Sequence, residues 1–263
     1  MAFNKQNTIE WVVNVQGKNI LFVSYGGQHA RVISSAFNYI KREIAYVNSI
    51  AFGAASGSSF FKELGLGCFD YDDLVLEKYR SIVEMYGEKL IDENHDIASN
   101  LTRKKAINYL GLNYLDQVLE HGQENSAKNY SLLGRNSFLP INSMELLFDM
   151  AKPDVLVCTT APRTELAARV VANRMNIPVV VLADTINPLT TPNPLVADVF
   201  CVPSQLEIED WTNKDWIKVK KIACCSEESI DVPNSVRNKD SINLNPKKVC
   251  EEIVSLLNVS KTG

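Results

Sequence analysis

Short runs of apolar residues, each followed by a polar turn and then by a helical repeat, recur along most of this chain. The run Asn19–Tyr25 leads through two glycines into apolar positions three and four residues apart, which predicts a strand, a turn and a helix. Two later runs are continuously apolar, namely Asp154–Thr159 and Pro178–Ala183, and Val196–Val202 indicates one more strand. Continuous runs are typical of parallel strands that helices cover on both faces. The pattern therefore predicts an α/β fold with a Rossmann-like, doubly wound and mainly parallel sheet.

Between residues 71 and 135 the strands give way to helical spacing alone. Apolar side chains recur at helical intervals from Ile82 to Leu90 and from Ile107 to Val118, which predicts two helices. The polar stretch 122–135 predicts a surface loop. We therefore expect a domain over residues 1–204 with a helical insertion at about 71–135, and then a short C-terminal extension, 205–263, that ends in a helix.

Composition and charge narrow the classes of function. The 263 residues carry 27 Lys and Arg against 31 Asp and Glu, and this net charge of -4 argues against a protein that binds nucleic acid through its phosphates. The apolar runs are far shorter than the roughly 18 residues of a membrane-spanning helix, so we expect no transmembrane segment. Six scattered cysteines do not form a disulfide framework, and we expect reduced thiols in a cytoplasmic protein.

The loop after the first strand is the first candidate for a binding site, because ligands of doubly wound sheets bind beyond the carboxyl ends of the strands. Gly26, Gly27 and Gln28 lead into a helix whose free N–H groups can receive an anion or a hydroxyl. His29 titrates near neutral pH and could act as a catalytic base. A tight glycine turn beside a solvent-facing histidine explains the same residues equally well.

Two later loops bring polar groups to the same edge of the predicted sheet. Thr160, Arg163 and Glu165 follow one strand, and we expect a helix whose first residue lies near Pro162. A cation at the start of a helix is unfavourable unless an anionic ligand or a carboxylate such as Glu165 faces it. Asp184 follows the next strand, where its carboxylate can accept a proton or hold a sugar hydroxyl. A solvated arginine and a turn-forming aspartate are the alternatives.

Motifs with a fixed chemistry are missing from the sequence. The phosphate-binding patterns G-x-G-x-x-G and G-x-x-x-x-G-K-[ST] do not occur, and His95 and His121 lack the spacing of a metal site. We therefore expect neither a metal nor a bound cofactor.

Several segments together resemble the N-terminal, acceptor-side half of glycosyltransferases of the GT-B fold. They are Gly26–His29, Gly134–Pro140, Lys152–Val157, Ala161–Ala168, Asn176–Val180 and Leu182–Asp184. The same half occurs in UDP-N-acetylglucosamine 2-epimerases and in the transferase that glycosylates lipid I in peptidoglycan synthesis. The resemblance covers roughly residues 18–204. It implies a single GT-B half whose cleft is lined by the glycine turn, His29, Arg163 and Asp184.

The resemblance also implies an activity, which is transfer of a sugar from a nucleotide-sugar donor, UDP-linked, in the synthesis of surface polysaccharides or glycoconjugates. His29 or Asp184 would remove a proton from the acceptor hydroxyl, while Arg163 and helix N-termini would stabilise negative charge. In that family a second half holds the donor, and we find no second nucleotide-binding pattern after residue 204. We therefore expect either a GT-B-like glycosyltransferase or the acceptor-side subunit of a split one, with a donor-domain partner protein or a homo-oligomer as the possible assembly.

Two other classes of function stay open at this point. A nucleotide-sugar epimerase or hydrolase would need no separate acceptor. A non-catalytic module would bind a sugar, a nucleotide or a protein partner without chemistry.

Overall fold

The fold is described here from a computed structural model over residues 15–44, 46–184, 195–205, 208, 212, 214–226 and 244–259. In these residues seven parallel strands form one sheet with helices on both faces. The predicted fold class is confirmed, because this arrangement is a Rossmann-like, doubly wound α/β fold. None of the described helices combines the length and the apolar character that a membrane span requires.

The order of the strands creates a crevice near the middle of the sheet. The strands are β1 (Asn19–Ser24), β2 (Asn48–Gly53), β3 (Cys68–Phe69), β4 (Val155–Thr159), β5 (Val179–Leu182), β6 (Leu195–Val202) and β7 (Ile217–Cys224). They lie in the order β3-β2-β1-β4-β5-β6-β7, and each neighbouring pair is parallel. The order reverses between β1 and β4, and at such a switch point the loops after the two strands diverge and open a crevice.

Helices cover the two faces of the sheet and form two cores. The helices are α1 (Gln28–Glu43), α2 (Gly57–Glu63), α3 (Tyr71–Leu74), α4 (Arg80–Ile91), α5 (His95–Asn100), α6 (Arg103–His121), α7 (Gln123–Leu133), α8 (Ile141–Ala151), α9 (Thr164–Arg174) and α10 (Pro246–Val259). Apolar side chains of α1, α2 and α10 pack on one face, and those of α4, α6, α8 and α9 pack on the other. Because successive residues of β1 alternate between the two cores, all four of its inner residues, Ile20 to Val23, are apolar.

The helical insertion contains more regular structure than its sequence predicts. Helices α3 to α7 lie between Tyr71 and Leu133, and the 3₁₀ turn Gly134–Ser137 follows them. The prediction of a surface loop at 122–135 was wrong, since most of that stretch is α7. Only Ser126 of this helix is fully buried, so α7 lacks the apolar stripe by which helices are recognised in a sequence.

Two elements of the C-terminal extension belong to the same sheet and core. Strand β7 pairs in parallel with β6 over its whole length. Helix α10 contacts α1 and buries Val249, Ile253 and Leu257 in the core beneath it. The described part of residues 205–263 therefore completes the sheet and covers one of its faces.

Candidate functional site

The loops after β1 and β4 lie on either side of the switch point, and Glu165 of α9 connects them. Its carboxylate is fully buried. Oε1 accepts a hydrogen bond of 2.8 Å from the Tyr25 backbone N–H, and Oε2 accepts bonds from the N–H and the hydroxyl of Thr159, at 2.5 and 2.7 Å. Burial raises the pKa of Glu165 above its ordinary value, although the nearby His29 charge opposes that shift. Both oxygens of Glu165 thus accept hydrogen bonds from the two loops, and among the described residues this carboxylate forms no ion pair with Arg163, the cation that it could have faced.

His29 and Asp184 form an ion pair in the crevice. Nδ1 of His29, in the first turn of α1, lies against Oδ2 of Asp184, which follows β5. The Asp184 side chain is fully buried, while that of His29 is 25% exposed. The hydroxyl of Thr160 donates to Oδ1 of Asp184. The structure therefore brings together three residues that the sequence places on separate loops.

The hydrogen bonds around His29 determine which ring nitrogen carries the proton. The Thr159 hydroxyl donates its one hydrogen to Glu165, so its oxygen accepts from Nδ1 of His29, 2.9 Å away. The carboxylate of Asp184, which lies against the same nitrogen, also favours a hydrogen there, because a lone pair on Nδ1 would face its negative charge. A neutral His29 is thus protonated at Nδ1. Nε2 then carries a lone pair, and it makes no hydrogen bond with any described residue.

The charges in the crevice favour the ion pair. Burial lowers the pKa of His29, but the hydrogen bond to Asp184 and the charge of Glu165 outweigh that effect and raise it above its usual 6.5. Burial raises the pKa of Asp184, yet the hydrogen bond and charge of His29 hold it below its ordinary value. The imidazole is therefore a stronger base than a free histidine side chain.

Arg163 is the N-cap of α9, and its backbone conformation is unusual. Its φ and ψ are 62° and -109°, close to the 57° and -131° of Gly27, the N-cap of α1. Helix α9 begins at Thr164, so the expectation of a first helical residue near Pro162 was wrong. A side chain at such a φ strains the backbone, and residues of this kind concentrate at functional sites.

The guanidinium of Arg163 has few partners. It lies over the ring of Tyr25, 4.5 Å from the ring centroid, and Nη1 donates to Oδ1 of Asn136 at 3.1 Å. Nε is buried and makes no hydrogen bond with any described residue. Within the described ranges no carboxylate pairs with this cation. Arg163 thus places a positive charge at the crevice without a direct carboxylate partner in the part of the chain that the structure describes.

The glycine turn determines how the chain enters α1. Gly26 has a φ of 135°, and a Cβ there would overlap the hydroxyl of Ser56 and lie 2.9 Å from the N–H of Gly57. Gly27 is exposed, and Gln28 is the half-buried first residue of the helix. No N-cap side chain bonds the first N–H groups of α1 or α9. Those groups are available to an anion or a hydroxyl.

Sequence reasoning missed three residues of this site, Tyr25, Asn136 and Thr159. Tyr25 and Thr159 lie at the carboxyl ends of their strands, so their position in the sequence is a usable signal. Asn136 lies in the insertion, and no sequence signal links it to Arg163. Among the residues the structure describes, no cluster of three or more potential ligands could hold a metal ion.

Comparisons with known proteins leave the family of this chain unassigned. No family model matches the sequence, and no curated protein matches it either. Among solved structures, a phosphotransacetylase from Streptococcus pyogenes is similar at 14% identity with a TM-score of 0.27. The similarity covers 64% of this chain but only 41% of that enzyme.

Proposed function

We propose that this protein transfers a sugar from a nucleotide-sugar donor to an acceptor hydroxyl, with His29 as the general base. One observation carries the proposal, namely the His29–Asp184 pair with Nδ1 bound and Nε2 available at the switch point of the sheet. A histidine held in one tautomer by a buried carboxylate is well suited to remove a proton from a hydroxyl.

The reaction that we assign to the site is a displacement at the anomeric carbon of the donor sugar. Nε2 of His29 accepts the proton of the acceptor hydroxyl, and the acceptor oxygen forms a bond to the anomeric carbon of the donor sugar. The bond from that carbon to the diphosphate breaks, and the electron pair leaves with the nucleoside diphosphate. Arg163 and the N–H groups of α1 and α9 would stabilise the negative charge that develops.

Unpaired polar atoms at the same edge support a polar ligand. The buried hydroxyls of Ser24, at the end of β1, and of Ser204, after β6, have no hydrogen-bond partner in the described chain. Nε of Arg163 is also buried and has no hydrogen-bond partner in the described chain. Because an unpaired buried polar group is costly, such groups are typical of a site that a ligand completes.

The resemblance to the acceptor-side half of GT-B glycosyltransferases supplies the details of the proposal, which are the donor, the product and the partner. On that likeness the donor is UDP-linked, the product belongs to a surface polysaccharide or glycoconjugate, and a donor-domain partner protein or a second copy of the chain contributes to the reaction. We also propose a cytoplasmic location, because all six cysteines are free thiols, as in reducing compartments.

The test is an assay of UDP release from a panel of UDP-sugars, with and without oligosaccharide acceptors and a cell extract as the source of a partner. We expect release that depends on the acceptor and that falls at least about 100-fold in His29→Ala. His121→Ala is the matched control, because His121 is exposed at the end of α6. Equal activity of the parent and His29→Ala would refute the proposal. Release without an acceptor would indicate a hydrolase or an epimerase, and no release would favour a binding module.

A further inference from the structure

Besides the crevice, the protein has a cavity in the helical insertion, between α4, α6 and α7. Its volume is about 520 Å³, within the usual range of small-molecule sites. Tyr86, Tyr114 and Tyr130 contribute one aromatic wall from each helix. Neighbouring rings have centroids 4.9 and 5.7 Å apart and are steeply inclined to each other, so the walls are shaped by ring packing.

One of the three tyrosine hydroxyls in this cavity bonds to no residue that the structure describes. Tyr86 donates to Oε1 of Gln123 at 2.6 Å, and the hydroxyl of Tyr130 accepts from the amide of Asn94 at 2.8 Å. Tyr114 is only 4% exposed, yet its hydroxyl bonds to no residue that the structure describes. Because Tyr114 lines the cavity and its hydroxyl is not bonded to a described residue, this hydroxyl can pair with a ligand there.

The charges at the rim favour a neutral ligand. Lys89 and Glu93 line the cavity, both are exposed, and they carry one charge of each sign. Neither forms an ion pair or a hydrogen bond within the described ranges. A sugar ring suits such a cavity, because its apolar C–H face can pack on the half-buried ring of Tyr130 while its hydroxyls bond to the rim and to Tyr114.

The cavity shares a segment with the candidate site. Gly134 lines the cavity and begins the 3₁₀ turn that contains Asn136. Asn136 holds Arg163, whose guanidinium lies over Tyr25 at the crevice. The short turn Gly134–Ser137 therefore connects the cavity that the three tyrosines line to the residues around His29.

We propose that this cavity binds a neutral oligosaccharide, and that this saccharide is the part of the acceptor that does not react. Its role as acceptor rests on the sugar transfer proposed above, whereas its binding does not. The acceptor is then a growing saccharide chain of several units rather than a single sugar.

The test is calorimetric titration of the full chain with cello-, malto- and chitotetraose and with the matching monosaccharides. We expect at least one tetrasaccharide to bind, and to bind more tightly than its monosaccharide. Tyr114→Phe should weaken that binding about fivefold without lowering the melting temperature, because the lost hydroxyl has no protein partner. Tyr86→Phe is the control, since its hydroxyl is already bonded to Gln123.

A second pair of variants tests the cavity by filling it. Ala127→Trp, on the cavity wall, should abolish binding, whereas Lys128→Trp, exposed on the next position of α7, should leave it unchanged.

Failure of all three tetrasaccharides to bind would overturn the proposal, and so would unchanged binding in both Tyr114→Phe and Ala127→Trp. His29→Ala should bind the saccharide normally. Binding without transfer by the parent would therefore refute the proposed function and leave this site standing.

Discussion

At the scale of single residues, Arg163 shows a conflict between backbone and side chain. Its φ of 62° suits glycine, and the equivalent position before α1 is Gly27. A non-glycine residue in such a region costs of order 1–3 kcal/mol. Because the guanidinium lies at the crevice over Tyr25, we infer that the chain tolerates this strain to keep a cation there.

Two substitutions separate the strain at Arg163 from its contacts. Arg163→Ala removes the contacts and keeps the strain, while Arg163→Gly removes both. We expect the glycine variant to be about 1 kcal/mol more stable than the alanine variant, the reverse of the usual order, and both to lose at least about tenfold in transfer rate. Denaturant unfolding and the UDP-release assay measure the two effects. A less stable glycine variant would contradict the argument from strain.

Asp184 determines the pH at which the rate of transfer falls on the acidic side of its pH profile. Transfer requires neutral His29, so the rate should fall as the pH drops through the pKa of His29, which lies above 6.5. Asp184→Asn removes a charge that raises this pKa, and the acidic limb of the profile should then move to lower pH while the rate falls about 100-fold. NMR titration of His29 follows the same shift directly. An unmoved limb would exclude His29 as the base.

At the scale of elements, burial explains what the sequence could predict. Strands β4 and β5 are buried at every position, so their apolar runs stand out from the helices around them. Helices α1 and α9 each bury one stripe and were equally recognisable. The sequence could place His29, Thr160 and Asp184 close together because the carboxyl ends of parallel strands converge on one edge of the sheet.

The elements and contacts that escaped prediction depend on tertiary structure. Helix α7 is polar almost all round and packs through Tyr130. The role of Glu165 as a connector of two loops depends on a contact with Tyr25, 140 residues away in the sequence. The glycine-like backbone of Arg163 has no sequence signal, because the residue type alone predicts the opposite conformation.

Close packing of α4 on α6 depends on two glycines. A Cβ at Gly111 would overlap the carbonyl oxygen of Val83, and one at Gly87 would overlap that of Ile107. Gly111→Ala should therefore push the helices apart and lower the free energy of unfolding by at least about 2 kcal/mol, measured by denaturant unfolding. Gly67→Ala is the control, since no atom lies within 4 Å of its Cβ position and its φ is not positive. An effect of similar size in both variants would contradict the packing argument.

At the scale of the whole molecule, one sheet separates two cores, and the C-terminal helix closes one of them. Helix α10 packs on α1, which carries His29 in its first turn. The opposite core contains side chains of α9 and of the insertion. Arg163 lies at the start of α9, and the cavity lined by three tyrosines lies in the insertion. Because the crevice lies between loops that belong to both cores, the site requires both faces of the sheet to be folded.

Ile253→Ala tests whether the C-terminal helix is part of this cooperative unit. Ile253 is fully buried on α10, so the loss of its side chain should lower the free energy of unfolding by about 2–5 kcal/mol, whereas Ser255→Ala, exposed on the same helix, should have little effect. Circular dichroism and the NMR signal of His29 should then report one shared transition at a lower denaturant concentration. If α10 melted first and the His29 signal kept its native position, α10 would be a separate unit, and the site would not depend on it.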